Sequence, residues 1–95
     1  MPAKPWFTYM VRCCDGTIYT GVTTDPARRL AEHNSSRGGA RYTRSRQPVR
    51  LVFIEVQPSR SLACRREFAL KQLSASEKNQ LIKMHGWRPD PSRDS

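Results

Sequence analysis

The sequence is short of acidic residues and has no long apolar run. Among its 95 residues, 8 Asp and Glu stand against 17 Lys and Arg, which gives a formal net charge of +9. No stretch approaches the roughly 18 consecutive apolar residues of a membrane-spanning helix, and the N-terminus has no apolar signal core. These absences argue against a membrane-spanning or secreted protein. We therefore expect a cytoplasmic protein whose surplus positive charge suits a polyanion such as nucleic acid.

Cysteine is also scarce. The three cysteines are Cys13, Cys14 and Cys64, an odd number. Adjacent residues of a strand point to opposite faces, so Cys13 and Cys14 do not pair readily with each other. The cysteines, even with His33 and His85, do not have the paired short spacings of a zinc site. We expect reduced thiols and no zinc site.

Three segments have the composition of strands. Residues 7–13 and 17–22 are rich in aromatic and β-branched side chains, and the Asp15-Gly16 pair between them is a strong turn signal, so they predict a hairpin. Residues 49–56, VRLVFIEV, have the same character and predict a third strand.

Capping and periodicity predict three helices. Their signals are the Asp25-Pro26 pair before residues 27–33, an apolar period of 3.6 residues from Ser61 onward, and a capping box formed by Ser74 and Glu77.

Two segments have no such pattern. Residues 34–48 contain glycines, serines and four arginines without apolar periodicity, so they predict a long basic loop. From Gly86 onward the chain is Pro-rich and polar, which predicts a frayed tail. We expect one domain over residues 1–85 followed by a tail over residues 86–95.

Several polar residues fall where a site would need them, and each also has an ordinary explanation. Arg29 and His33 share one face of the first helix, but they could be a solvated charge and a partner of the helix dipole. Tyr9 and Tyr19 lie on the hairpin strands, where cross-strand aromatic packing is the commonest use of tyrosine. Gly21 lies on the same strand face as Tyr19, which indicates an opening beside that ring.

Glu67 is the candidate carboxylate. It lies at the margin of the apolar stripe of the helix that starts near Ser61, and not on the opposite, solvent-facing side. An ion pair with Lys71, four residues later, would explain this position. A divalent cation such as Mg²⁺ would also explain it, because Mg²⁺ takes one or two carboxylates and completes its shell with water and substrate phosphate. Sequence spacing leaves both explanations open.

Together these residues resemble the GIY-YIG nuclease superfamily, most closely its small single-domain bacterial members. The two strand motifs of that family correspond to FTY and YTG here, which keep Tyr9, Tyr19 and the second glycine but not the first Gly-Ile. The catalytic arginine follows the second tyrosine by ten residues in the family and matches Arg29. His33 matches a position that holds His or Tyr, and Glu67 matches the metal-binding glutamate.

The resemblance implies an α/β (α+β) fold, with a small three-stranded antiparallel sheet flanked by three helices. It also implies hydrolysis of one DNA strand with a single divalent metal, Mg²⁺ or Mn²⁺. Either tyrosine would act as general base, the arginine would hold the scissile phosphate, and the glutamate-bound metal would stabilise the leaving oxygen. We expect the five catalytic residues to converge on one concave surface: Tyr9, Tyr19, Arg29, His33 and Glu67.

The basic segment resembles the corresponding segment of the small bacterial group. Dense arginines with an interleaved aromatic can grip a phosphate backbone and stack on an unpaired base, although the segment could also be a solvated loop. Asn79 is a loose counterpart of a polar residue that follows the glutamate in the family. The residues that we expect to contact DNA are Arg28, Arg37, Arg41, Tyr42, Arg44 and Arg46.

Three functions compete. The first is a metal-dependent, structure-selective DNA endonuclease that acts on branched, flapped or damaged DNA in repair or recombination. The second is a catalytically weak or inactive nucleic-acid-binding module of the same fold, and the third is a protein-interaction scaffold. The five matched catalytic positions favour the first, because a pure binder needs no carboxylate facing a phosphate site.

Overall fold

The structure is a computed structural model that describes residues 4–35 and 38–86. All the predicted strands and helices are present, each starting within one residue of its predicted start, and the predicted basic loop contains one further short helix. Most of the predicted tail, residues 87–95, and Arg37 lie outside the described residues. In chain order the elements are β1 (Trp6–Arg12), β2 (Ile18–Thr23), α1 (Pro26–His33), α2 (Arg41–Arg44), β3 (Arg50–Gln57), α3 (Arg60–Lys71) and α4 (Ala75–His85).

The strands form one antiparallel sheet in the order β2-β1-β3. The predicted turn joins β1 to β2, and the Asp15 carboxylate accepts hydrogen bonds from the backbone N–H and hydroxyl of Thr17 at 3.1 and 2.6 Å. Gly16 takes the left-handed conformation there, with φ +88. The architecture is therefore α+β, with β2 at one edge of the sheet.

Helices cover both faces of the sheet. Strand alternation places Tyr9 on one face and Met10 on the other. Helix α1 packs on the Tyr9 face through Leu30, and α3 packs on the Met10 face through Leu70.

Local capping fixes the helix ends much as the sequence predicts. The Asp25 side chain caps α1. Ser74 and Glu77 form both hydrogen bonds of a capping box at the start of α4, at 2.8 and 3.1 Å. Helix α3 begins one residue before the predicted start because Ser59 caps it.

The predicted basic loop is more structured than its composition indicates. It contains α2, and the residues around it are tied down by backbone and amide contacts. The Asn34 side chain bonds to the N–H and C=O of Val49 at 2.7 and 3.0 Å, and the Gln47 amide donates to the His33 carbonyl at 2.7 Å. Apolar periodicity does not reveal contacts of this kind, so the sequence pattern predicts only a loop for this segment.

Gly39 lets this segment pack closely on α1. Its φ is +80, and a Cβ added there would lie 2.6 Å from the Cα of His33. Both the backbone conformation and the available space therefore require glycine at this position.

The three cysteines are free thiols in the structure, as the sequence predicts. Cys13 is buried, Cys14 is exposed and Cys64 is partly exposed. Burial raises the pKa of the Cys13 thiol.

Over residues 4–35 and 38–86, no helix has the length and apolar character needed to cross a bilayer.

Replacing Gly39 and Gly16 by Ala separates packing from backbone strain. Both glycines have positive φ, but a Cβ at Gly16 would meet nothing within 4 Å. We expect Gly16→Ala to lose about 1–2 kcal/mol, the cost of a left-handed non-glycine residue. Gly39→Ala should lose clearly more, because its methyl group also collides with α1. Urea unfolding measures both, and equal losses would contradict the close packing of Gly39 on His33.

Candidate active site

A buried hydrogen bond joins the hairpin to α1. The Tyr9 hydroxyl lies 2.8 Å from His33 Nε2, and the two residues are only 2% and 0% exposed. Tyr9 pairs with Gly21 across the strands, and a Cβ on Gly21 would lie 2.6 Å from the Tyr9 hydroxyl oxygen. The predicted opening beside Tyr19 is therefore wrong in one respect: the space over Gly21 is filled by the Tyr9 ring.

Tyr19 packs against the same histidine. Its ring meets the His33 ring edge-on at a centroid distance of 5.2 Å and lies 6.5 Å from the Tyr9 ring. The Tyr19 hydroxyl has no hydrogen bond within the described residues. Thr20 Oγ1 is the one buried side-chain polar atom in that part of the chain without a partner. The Tyr19 hydroxyl is therefore open to solvent, in contrast to that of Tyr9.

Arg29 brings a positive charge to this cluster. Its guanidinium Nη1 lies 3.0 Å from Glu32 Oε1, and its side chain is 28% exposed. The charge lies close enough to Tyr9 and His33 to lower the pKa of both. Arg29 thus faces the buried pair on one side and a carboxylate on the other.

Burial sets the protonation of the pair. It raises the pKa of Tyr9 to about 12, although the neighbouring Arg29 acts in the opposite direction. It lowers the pKa of His33 to about 4, and Arg29 acts in the same direction. At neutral pH the pair is therefore a neutral phenol beside a neutral imidazole.

Glu67 reaches this region from α3. Burial raises the pKa of Tyr9, and the charge of Glu67 adds a smaller effect in the same direction, so the carboxylate lies within electrostatic range of the phenol. The side chain is 23% exposed, and its Oε2 lies 3.2 Å from Lys71 Nζ. The ion pair expected as the ordinary explanation is therefore present, together with the proximity to Tyr9.

The donor set suits a cation that takes few protein ligands. Within residues 4–35 and 38–86, no three His, Cys, Asp or Glu side chains are grouped so as to hold a metal ion by themselves. Mg²⁺ commonly binds through one or two carboxylates and fills its remaining positions with water and substrate phosphate. Glu67, partly exposed, fits that mode as the single protein ligand.

The arginines expected to contact DNA have different surroundings. Arg41 and Arg44 are exposed on α2, and neither has an ion pair within the described ranges. Arg28 is 64% exposed on α1, with its Nε 3.8 Å from Glu32 Oε2. These three side chains are available to an anionic partner.

Arg46 and Tyr42 are instead engaged within the protein. The Arg46 guanidinium lies 4.1 Å from the centre of the Tyr42 ring, and its Nε lies 3.1 Å from Asp15 Oδ2. The Tyr42 ring also stacks on Tyr19 at a centroid distance of 5.9 Å. A base that stacked on Tyr42 would have to displace one of these neighbours.

One buried polar residue beside His33 shows where sequence reasoning falls short. Thr43 was not singled out, yet it is 0% exposed and its Oγ1 lies 2.8 Å from His33 Nδ1. Its position ten residues after His33 is the one available signal.

Asn79 accepts a hydrogen bond from Arg12 at 2.8 Å and donates to Ala75 at 2.9 Å, so it contacts the end of β1.

The family model for the GIY-YIG catalytic domain matches residues 5–80. A UPF0213 protein of Desulfotalea psychrophila is 60% identical over 78 residues, which cover 82% of this chain and 71% of that protein. A UPF0213 protein of Halobacterium salinarum is 53% identical over 74 residues, which cover 78% of this chain and 95% of that protein.

Two solution NMR structures have the same fold. A UPF0213 protein of Bacillus halodurans matches with a TM-score of 0.54 and 44% identity over 84% of each chain. A protein of E. faecalis matches with a TM-score of 0.59 and 43% identity over 86% of each chain. The chain therefore belongs to the GIY-YIG nuclease family.

Proposed function

We propose that the protein is a divalent-metal-dependent DNA endonuclease that hydrolyses one phosphodiester bond. The observation that carries the proposal is the surroundings of the Tyr9 hydroxyl. It has the His33 imidazole at 2.8 Å, the Arg29 charge beside it and the Glu67 carboxylate near enough to influence its pKa. A phenol, a cation and a carboxylate held together provide a base, a phosphate ligand and a metal ligand.

In this proposal Arg29 binds the scissile phosphate. To do so it exchanges its contact with Glu32 for the phosphate oxygens, which it can grip through two parallel N–H groups. Its fixed charge then stabilises the negative charge that grows on the phosphate in the transition state.

Tyr9 is the proposed base, and Tyr19 has a different task. Burial raises the pKa of Tyr9, but the Arg29 cation beside its oxygen acts in the opposite direction and favours the phenolate, and the His33 imidazole lies within hydrogen-bond distance. The solvent-open hydroxyl of Tyr19 is free to hydrogen-bond the phosphate or the attacking water. His33 stays neutral in this arrangement and orients the Tyr9 hydroxyl.

Glu67 would hold the divalent cation, Mg²⁺ or Mn²⁺. When bound, such an ion supplies Lewis-acid stabilisation of the leaving oxygen. The ion pair with Lys71 holds the carboxylate in place in the meantime. Lys71 is 49% exposed, so releasing the carboxylate costs little.

The proposed substrate is DNA that is branched, flapped or single-stranded, in a repair or recombination setting. Exposed arginines on α1 and α2 provide sequence-independent phosphate contacts, which suit recognition of DNA shape. We also propose that residues 1–85 form the nuclease domain and that it acts in the cytoplasm, where the three free cysteines would stay reduced.

One observation favours a second function, a nucleic-acid-binding module without catalysis. Glu67 already has Lys71 as a partner at 3.2 Å, and a structural ion pair needs no metal. In that case the arginines would still bind DNA, and no strand would be cut.

Replacing Glu67 by Gln tests the nuclease directly. Gln keeps the shape but removes the charge that a divalent cation needs, so cleavage should be lost while the fold and DNA binding persist. The matched control is Glu77→Gln on α4, where Gln also completes a capping box. Labelled single-stranded, duplex, flap and branched DNA are incubated with Mg²⁺, Mn²⁺ or a chelator. Equal cutting by wild type and Glu67→Gln would show that Glu67 is not the required metal ligand, and no cutting of any substrate would leave the binding module.

The pH dependence of cleavage identifies the base. Because the active form of Tyr9 is the phenolate and burial raises its pKa to about 12, the rate should rise throughout the range between neutral and alkaline pH. Well below the pKa the rise should be about tenfold per pH unit. Tyr9→Phe should abolish this rise, whereas Tyr19→Phe should lower the rate and keep the profile. A single-turnover profile in Tyr9→Phe that still rises would move the role of base to Tyr19.

Salt dependence tests the DNA contacts. Replacing both Arg41 and Arg44 by Ala should reduce the slope of log affinity against log salt by about 2, since each phosphate contact contributes about 1. The control removes the same charge from exposed positions of α3 and α4, with Arg65→Ala and Lys83→Ala. Fluorescence anisotropy measures both, and a wild-type slope in the Arg41 and Arg44 double variant would show that α2 makes no phosphate contact.

A further inference from the structure

The residues before and within α2 surround the imidazole of His33 on the side away from Tyr9. The Thr43 hydroxyl oxygen lies 2.8 Å from Nδ1, and the backbone nitrogen of Ala40 lies 3.4 Å from the same atom. Thr43 and His33 are both 0% exposed. The two ring nitrogens therefore have different partners: Thr43 and Ala40 at Nδ1, and Tyr9 at Nε2.

The Ala40 amide, at 3.4 Å, disfavours a hydrogen on Nδ1, and the closer Thr43 hydroxyl, at 2.8 Å, is needed to complete that preference. The N–H of Ala40 is fixed by the chain and is directed at Nδ1, so a hydrogen on Nδ1 would face another hydrogen. The Thr43 hydroxyl can rotate, and Nδ1 at 2.8 Å and the Ala40 carbonyl at 3.0 Å compete for its proton. With Nδ1 unprotonated, the hydroxyl donates to it over the shorter distance.

We propose that Thr43, together with the Ala40 amide, is a positioning residue that holds His33 in the Nε2–H tautomer. His33 then donates its hydrogen to the oxygen of Tyr9. The catalytic consequence rests on the proposed nuclease function, whereas the tautomer itself does not.

The direction of this hydrogen bond controls what Tyr9 can do. A donor directed at the Tyr9 oxygen stabilises the phenolate and leaves the phenol proton free to point elsewhere. In the other tautomer, Nε2 would accept the proton of Tyr9 and hold the residue in its neutral form. The tautomer set by Thr43 is therefore the one in which Tyr9 can serve as base.

The segment GGARYT, residues 38–43, packs closely against His33. Gly39 brings its backbone so close that an added Cβ would lie 2.6 Å from the Cα of His33. Ala40 then supplies the amide, and Thr43 follows it within one helical turn. A segment that reads as a basic DNA-contacting loop thus also holds a catalytic side chain in place.

Three variants test the role of Thr43. Thr43→Val removes the hydroxyl and keeps the shape, and Thr43→Ser restores a hydroxyl. Thr20→Val is the matched control, since Thr20 Oγ1 is buried on the other face of the sheet and has no partner among the residues that the structure describes. Its removal should be neutral or stabilising. Two-bond nitrogen–proton NMR correlations distinguish the Nδ1–H and Nε2–H forms of His33 in each protein.

Wild type, Thr43→Ser and Thr20→Val should show the Nε2–H form, and Thr43→Val should show a mixture. If the protein cuts DNA, single-turnover cleavage should fall about fivefold to tenfold in Thr43→Val, as for the loss of one neutral hydrogen bond, and recover in Thr43→Ser. An Nδ1–H form in the wild type would overturn the proposal even if no variant folds. An unchanged tautomer in Thr43→Val would also overturn it. Because the NMR measurement needs no substrate, failure of the nuclease function would be seen separately.

Discussion

The hydrogen bond between the Tyr9 hydroxyl and the His33 imidazole, formed across the bare backbone of Gly21, is the contact on which the rest of the site depends. It joins the central strand of the sheet to α1 at 2.8 Å in a fully buried position. Burying two polar groups is tolerated only if both are hydrogen-bonded. The Tyr9 hydroxyl and the His33 imidazole therefore hold each other in position. Arg29, one helical turn before His33, is placed beside the phenol by the same contact.

Local signals made much of the fold predictable from the sequence. The Asp15-Gly16 turn and the capping box of Ser74 and Glu77 involve residues at most three positions apart, and the structure has all of them. The five candidate site residues could be named because they match a family motif at fixed spacing.

The parts that could not be predicted depend on contacts between distant residues. Gly21 indicated an empty space, but Tyr9 from the neighbouring strand fills it. Residues 34–48 looked like a loop because amide side chains and backbone atoms hold them, and such contacts leave no apolar period. Thr43 could not be recognised because its partner, His33, lies ten positions earlier and on another helix.

The positive charge of the chain is divided between structure and binding. Arg46 pairs with Asp15 and covers the Tyr42 ring, so it fixes α2 against the hairpin turn. Arg41 and Arg44 project from the same helix into solvent. The net charge of +9 is therefore not a count of DNA contacts, because some of the arginines that contribute to it stabilise the site.

A pH titration of the His33 imidazole by NMR tests the central contact most directly, with His85→Gln used so that one histidine resonance remains. Burial lowers the pKa of His33 from 6.5 to about 4, so the folded protein should keep this ring neutral well below pH 6. The unfolded chain binds a proton there first, and the free energy of unfolding should accordingly fall as the pH drops from 6.5 toward 4. Titration of His33 near 6.5 in the folded protein would contradict the account, because it would mean that the imidazole is solvated and not held against Tyr9.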